Sequence, residues 1–169
     1  MSERKDIQNP EFTFSRTFDF PRELVWKAWT EPKRLAEWWG PKGLKMGVTH
    51  LDLKPGGLFH YSMTTPDGQT MWGRFVYKEI TPPEKLVYVV SFSDENAGMS
   101  LPPMAANWPL EILNTVIFTE EKGKTILSLK GTPINATPEE IKVFGDNFPS
   151  MNQGFTGTLD QLEAYLAKQ

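Results

Sequence analysis

The chain has 169 residues, of which 39% are hydrophobic and 23% charged, with a formal net charge of −3 at pH 7. Its 21 acidic residues outnumber 18 basic ones, which argues against nucleic acid as a partner. Cysteine is absent, which excludes disulfides, thiolate metal sites and a cysteine nucleophile.

Length and composition predict a single domain over residues 1–169. No apolar stretch reaches the roughly 18 residues that a membrane span needs, and the first eleven residues, "MSERKDIQNPE", are too polar for a signal peptide. We therefore expect a cytoplasmic protein whose residues 1–11 are flexible. Aromatic residues make up 12% of the chain, and such a surplus suits the wall of an apolar cavity as well as a core.

The first quarter of the chain predicts one strand and two short helices. "FTFSRTFDF" alternates apolar and polar residues, as a strand does. "PRELVWKAWT" has helical spacing after Pro21, and "EPKRLAEWWG" has Pro32 in its first turn and Gly40 at its end. Trp38 and Trp39 end the second helix. We interpret them as an anchor between the helices and a sheet; closing one end of a cavity is the alternative.

The remainder predicts six strands and a final helix. The strands are "LKMGVTHLDL", "LFHYSMTT", "MWGRFVYKEI", "KLVYVVSFS", "WPLEILNTVIFTE" and "KTILSLKG". Thr137, Pro138 and Glu140 predict a capping box at the start of the last helix. The order β-α-α-β-β-β-β-β-β-α indicates the α+β class with a six- to seven-stranded antiparallel sheet.

A long loop, residues 94–107, interrupts the strands. It is rich in proline and methionine, and its apolar Met99, Leu101 and Met104 indicate that it covers something. The loop would cover either the mouth of a cavity or a second copy of the chain in a homodimer, and the sequence does not decide between the two.

Alternation places one row of large side chains on a common face of the sheet. Phe59, Tyr61 and Met63 share a face of one strand. On the next strand Gly73 is predicted opposite a large aromatic residue, which favours a concave face that also carries Met71, Phe75 and Tyr77.

His60 and Arg74 then belong to the other face, where we expect both at the surface. His50 and His60 lack the spacing of metal ligands, and no nucleophile elbow, phosphate-binding loop or dinucleotide motif occurs. We predict no catalytic residue, no metal and no cofactor.

Several strings resemble a known family. They are "AWTEPKRLAEWWGPKG", "LDLKPGGLFHYSM", "EITPPEKLVY", "WPLEILNTVIFTEEKGKTILSL" and "SMNQGFTGTLDQLEAYLA", which together span roughly residues 12–167. In this order they are similar to the START-like helix-grip superfamily (SRPBCC), in the bacterial branch that resembles the C-terminal domain of the activator of heat-shock protein 90 ATPase. The resemblance implies a curved antiparallel sheet that grips a long C-terminal helix, with an apolar cavity between them.

Two glycines interrupt that C-terminal helix. Met151 and Phe155 fall in one apolar stripe, and Gly154 lies on its flank, with Gly157 further round. These glycines either relieve a clash with a neighbouring strand or leave room for the cavity. On either interpretation we expect Gly154→Ala to cost roughly 1–3 kcal/mol of stability by overpacking.

The resemblance and the aromatic row together predict a protein that binds a small apolar or amphipathic molecule. Tyr61 and Asn114 would orient the ligand. The predicted contact residues are Trp38, Phe59, Met63, Phe75, Tyr88, Trp108, Met151 and Phe155. An enzyme of cyclase or dehydratase type is one alternative. A module that interacts with a chaperone ATPase is another; we expect it less, because no N-terminal domain precedes the predicted unit.

Overall fold

The computed structural model describes residues 10–40, 43–100 and 107–169, so residues 1–9 of the segment expected to be flexible lie outside it. The described chain forms seven strands and four helices, which confirms the α+β class and the helix-grip architecture. The elements are β1 (Phe12–Phe18), α1 (Arg22–Thr30), α2 (Pro32–Trp38), β2 (Lys45–Leu51), β3 (Leu58–Thr64), β4 (Thr70–Thr81), β5 (Lys85–Ser93), β6 (Glu111–Glu121), β7 (Lys124–Ile134), α3 (Pro138–Asp146) and α4 (Phe148–Leu166).

All seven strands belong to one antiparallel sheet in the order β1-β7-β6-β5-β4-β3-β2. Strands β2 to β7 are neighbours in chain order, whereas β1 crosses over to pair with β7. In that pair Phe12 lies opposite Gly131 and Phe18 opposite Thr125. The two edges of the sheet are therefore β1 and β2.

The final helical segment differs from the single helix that we predicted. The capping box is confirmed, because Thr137 Oγ1 accepts from the Glu140 N–H at 3.1 Å and Glu140 Oε1 accepts from the Thr137 N–H at 3.0 Å. Helix α3 then ends, and Asn147 has φ −99° and ψ 9° before α4 begins. The reason is Pro149, which lacks an N–H and is compatible only with the first turn of a helix.

Helices α1 and α2 pack through tryptophan side chains. Trp38 is 1% exposed, and its indole N–H donates to the Ala28 carbonyl at 2.9 Å. Its ring meets the Trp29 ring edge to face, with centroids 5.1 Å apart. Trp38 thus joins α2 to α1, whereas of the two tryptophans that end α2 it is Trp39 that makes ring contacts with the sheet, meeting Phe75 edge to face with centroids 5.3 Å apart.

Polar contacts attach α4 to the first strand and to the segment that follows α2. Arg16 of β1 lies 2.7 Å from Asp160 Oδ1 and 2.5 Å from Glu163 Oε1. Elsewhere on the helix the Gln161 amide and the Thr158 hydroxyl donate to the carbonyl of Gly40, just after α2, at 2.8 and 3.1 Å. Helix α4 is thus held across one face of the sheet.

Candidate functional site

A cavity of about 390 Å³ lies between α4 and the face of the sheet that carries the buried aromatic side chains. We call this the inner face and the opposite one the outer face. Strands β3 to β6 contribute Tyr61, Met63, Met71, Gly73, Val90, Ser91, Phe92, Ile112 and Asn114 to the lining. The remaining contributors are Phe12, Trp39, Gly40, Trp108, Met151, Gly154, Phe155 and Thr158.

The wall formed by β3 and β4 depends on Gly73. Tyr61 pairs with Gly73 across the two strands, as alternation predicted. A Cβ at residue 73 would overlap the Tyr61 ring and hydroxyl, so glycine allows this ring to lie across β4. The Trp39 ring approaches Tyr61 edge to face, with centroids 6.2 Å apart.

Tyr61 is a neutral polar group in the lining. Burial raises the pKa of its hydroxyl to about 12, and a hydrogen bond from the Trp39 side chain only partly opposes that rise. The hydroxyl therefore keeps its proton at physiological pH, and it can donate to or accept from a ligand.

Asn114 of β6 contributes a second polar side chain to the lining of the cavity. It is 6% exposed and lies between Tyr88 of β5 and Gly131 of β7. A Cβ at residue 131 would come within 2.6 Å of Asn114 Oδ1, so the missing side chain makes room for the carboxamide.

The hydroxyl of Tyr88 is buried beside Asn114. Burial raises the pKa of this hydroxyl well above its usual range, and the approach of the Asn114 side chain offsets part of the rise. The two groups nevertheless do not meet in hydrogen-bonding geometry, and the Tyr88 hydroxyl has no partner within the described part of the chain.

The side of the cavity formed by α4 reaches the protein surface at Gly154. Gly154 is exposed while also lining the cavity. Next to it Phe155 stacks on Phe12, with ring centroids 5.6 Å apart. A Cβ built at Gly154 meets no atom within 4 Å. The overpacking that we expected for Gly154→Ala is therefore wrong, because the position faces open space.

Six of the ten predicted ligand contacts line the cavity and four do not. Those in the lining are Tyr61, Met63, Trp108, Asn114, Met151 and Phe155. Those packed in the core instead are Trp38, Phe59, Phe75 and Tyr88. Phe75 and Tyr88 illustrate the difference, because their rings stack with centroids 3.9 Å apart and fill the space between them.

Sequence reasoning missed several lining residues. Trp39 was assigned a role only together with Trp38, and Val90, Phe92 and Ile112 were not singled out, although all three lie in predicted strands. The sequence could have identified these three residues. Residues two apart on a strand share a face, so Val90 and Phe92 share the face of Tyr88, and Ile112 shares the face of Asn114.

The outer face is more enclosed than we predicted. His60 does lie on that face, but it is 5% exposed, so its expected surface position is wrong. Its ring stacks on Trp72 with centroids 5.0 Å apart, and Nε2 lies 3.0 Å from the Asp94 carbonyl oxygen. The segment after β5 folds over the sheet here and buries the histidine.

Arg74 and Ser91 are cross-strand partners on the same outer face. One Arg74 guanidinium N–H donates to the Ala97 carbonyl at 2.8 Å, so this side chain is half-buried rather than at the surface as predicted. Since Ser91 pairs with Arg74, its side chain belongs to the outer face, although the residue also borders the cavity between Val90 and Phe92.

Within the three described ranges, acidic and histidine side chains form no group suited to a metal ion. Met99 is 44% exposed, whereas Leu101 and Met104, which we expected to form a cover with it, lie outside the described residues. None of the described helices combines the length and the hydropathy of a membrane-spanning segment.

Residues 19–167 match the family described as Activator of Hsp90 ATPase homolog 1-like protein. The chain belongs to this family. The resemblance seen in the sequence is thereby confirmed over most of its length. No curated protein matches the sequence significantly.

Solved structures share the fold. A crystal structure of a protein from Mycobacterium smegmatis is 26% identical, with a TM-score of 0.76 over 94% of this chain and 91% of that one. A solution structure from Arthrobacter aurescens is 23% identical, with a TM-score of 0.81 over 97% and 90%. The AHSA1 protein from Silicibacter pomeroyi is 20% identical, with a TM-score of 0.68 over 94% and 98%. At these identities the last two show the fold alone.

Proposed function

We propose that the protein binds a small apolar or amphipathic molecule in the cavity between the inner face and α4. The observation that carries the proposal is the cavity itself, with a volume of about 390 Å³ and a largely apolar lining. Ligand sites in proteins typically have volumes of roughly 300–1,000 Å³, apolar walls and a few polar groups that fix orientation. Tyr61 and Asn114 would be those groups here.

The surface of α4 offers a route by which a ligand could enter the cavity. Gly154 is exposed and lacks a side chain, and Met151 and Phe155 beside it are half-buried. A ligand that entered between these residues would replace their contact with water, which is the main source of free energy for apolar binding.

A second function, an enzyme of cyclase or dehydratase type, is favoured by one observation: Tyr61 and Asn114 both line the cavity and could polarise a carbonyl group. Such reactions also need a proton acceptor that titrates near neutral pH. Tyr61, with a pKa of about 12, does not meet that requirement. Binding without chemistry is therefore the better-supported function.

The name of the family suggests a third function, interaction with a chaperone ATPase. That function would be favoured by a filled interior, since the protein would then act through its surface alone. The unfilled volume under α4 instead supports the binding of a ligand.

The test is fluorescence titration with N-phenyl-1-naphthylamine, an uncharged dye that brightens in apolar surroundings. We expect micromolar affinity for the native protein. Met63→Trp and Phe155→Trp place larger side chains in the lining and should weaken binding. The matched control is Met99→Trp, which adds the same ring at an exposed position. Dye binding that both lining variants leave unchanged would mean that the dye binds elsewhere, and would contradict the proposal.

A further inference from the structure

We propose that the ligand is uncharged and carries one hydrogen-bonding group, an alcohol or a primary amide, that the Asn114 carboxamide holds. This inference rests on the proposed function and specifies the chemical class of the ligand. Three features of the cavity support it: the lack of charged side chains among the described residues that line it, the burial of Asn114 within it, and the glycine that makes room for that side chain.

The first feature is the chemistry of the lining. Among the described residues that form it, none is acidic, basic or a histidine. An ion that left water for such a site would lose its hydration without gaining a counter-charge, which strongly disfavours binding. A neutral polar group loses much less and is compensated by one or two hydrogen bonds.

The second feature is the burial of Asn114. The residue is 6% exposed and borders the cavity. Its cross-strand partner Tyr88 is fully buried, and the Tyr88 hydroxyl has no hydrogen-bond partner in the described chain. Buried polar groups are nearly always hydrogen-bonded, and the Tyr88 hydroxyl is an exception next to the carboxamide. Because Asn114 itself borders the cavity, its carboxamide can bond to a ligand there.

The third feature is Gly131. A Cβ there would lie 2.6 Å from Asn114 Oδ1, so any other residue at 131 would displace the carboxamide. Two residues further along β6, on the same face, Val116 is a buried apolar residue of the core. At position 114 the glycine opposite makes room for a polar side chain instead. A carboxamide both donates and accepts hydrogen bonds, which matches the end of an alcohol or a primary amide.

The test compares three ligands of one chain length, 1-decanol, decanoate and decylammonium, as competitors of N-phenyl-1-naphthylamine at about pH 8, where both ions keep their charge. We expect 1-decanol to displace the dye at a concentration on the order of ten-fold lower than either ion. Asn114→Leu removes the hydrogen bonds at nearly the same volume. It should weaken 1-decanol about five-fold, a clearly larger loss than for the dye.

The outcomes separate the two proposals. If the dye does not bind the native protein in the cavity, the proposed function fails. If the dye binds but decanoate or decylammonium competes as well as 1-decanol does, the ligand class is wrong while the proposed function stands. If Asn114→Leu weakens all competitors and the dye equally, Asn114 shapes the cavity without recognising the polar group, and the inference is overturned. Should that variant not fold, the comparison of the three ligands on the native protein still decides the question of charge.

Discussion

Gly73 and Gly131 occupy strand positions where a side chain would collide with the residue opposite. The first of these pairings could be predicted, because the turn after β3 is short and fixes the register with β4. The second could not, because the collision involves an asparagine whose orientation is set by β5, β6 and β7 together. Sequence patterns thus predict which residues are paired in a hairpin, but they do not predict the conformations of the paired side chains.

Gly73→Ala should destabilise the protein by roughly 1–3 kcal/mol, because the new methyl group would overlap the buried Tyr61 ring. Urea unfolding, followed by tryptophan fluorescence, measures the change. Gly73→Ala with Tyr61→Leu should recover part of the loss, since leucine lacks the ring that lies over β4. A single variant as stable as the native protein would show that the ring moves aside freely.

Gly154→Ala should now raise stability, by something under about 1 kcal/mol, because alanine favours helix and restricts the unfolded chain. The sequence alone suggested the opposite sign, since a glycine beside an apolar stripe resembles a packing contact. The open space around the position removes that reason.

The comparison for Gly154→Ala is Gln153→Ala, at an exposed neighbouring position of α4, where we expect a near-neutral effect. A lower urea midpoint for Gly154→Ala at unchanged slope would mean that α4 approaches another part of the chain more closely than the structure indicates.

At the scale of single elements, the segment after β5 shows where sequence patterns stop being informative. Alternation assigned His60 to the outer face, but could not show that residues 94–100 fold over it. That fold depends on Asp94, whose Oδ1 accepts from the N–H groups of Asn96 and Gly98 at 2.8 and 2.9 Å. An aspartate that closes a turn in this way is common, but the direction of the turn is not encoded locally.

Asp94→Ala should speed amide hydrogen exchange at Asn96 and Gly98, because both N–H groups lose their acceptor. These bonds hold the pKa of the Asp94 carboxyl below its usual value, with that from Gly98 the stronger. Since the folded-state pKa is lowered, the stabilisation is present at neutral pH and is lost as the pH falls through that lowered value. The native protein should therefore lose protection at these amides in acid.

Glu95→Ala provides the control for Asp94→Ala, because Glu95 is adjacent, acidic and exposed. It should leave exchange at both amides unchanged. Equal effects of the two substitutions would show that general charge, and not the turn geometry, protects the segment.

The attachment of α4 to β1 gives a prediction about salt. Arg16→Met should destabilise the protein by about 0.5–1 kcal/mol, because Asp160 and Glu163 are more than half exposed and solvent weakens the pairs. The difference between variant and native protein in urea unfolding should shrink in 1 M NaCl, where charges are screened within about 3 Å.

Lys142→Met removes an exposed ion pair within α3, 2.8 Å from Asp146, and should cost less than Arg16→Met. A salt-independent loss for Arg16→Met would assign the effect to packing of its side chain instead, including its position over the Phe18 ring.

For the whole molecule, the fold class and the order of elements, apart from the division of the final helix into α3 and α4, followed from the sequence because each strand is bounded by a turn signal and each helix by a proline or a cap. The cavity residues followed less well. Phe59 and Met63 share one face of β3, yet only Met63 lines the cavity. Which members of an inner face are covered depends on how α4 crosses the sheet, and no local pattern specifies that crossing.

Ligand binding should stabilise the whole fold. With 1-decanol at 100 times its dissociation constant, linkage predicts about 2.7 kcal/mol of added stability, which corresponds to a rise in Tm of several degrees for a chain of this size. Differential scanning calorimetry at increasing 1-decanol concentration measures it. Phe155→Trp should reduce the rise. A Tm that does not depend on 1-decanol in the native protein would contradict binding to the folded state.

The pairing of β1 with β7 has a consequence for how the protein is made. Every residue pair in this ladder, from Phe18 and Thr125 to Phe12 and Gly131, joins positions more than a hundred residues apart. During synthesis β1 leaves the ribosome before the other strands, but its hydrogen-bonding partner β7 emerges only after more than a hundred further residues have been added. Until β7 is made, β1 has no partner strand, and its apolar side chains Phe12, Phe14 and Phe18 are exposed. Exposed apolar side chains of this kind favour aggregation. Fragments that end before residue 124 should expose this strand, and their solubility should improve when its phenylalanines are replaced by serine.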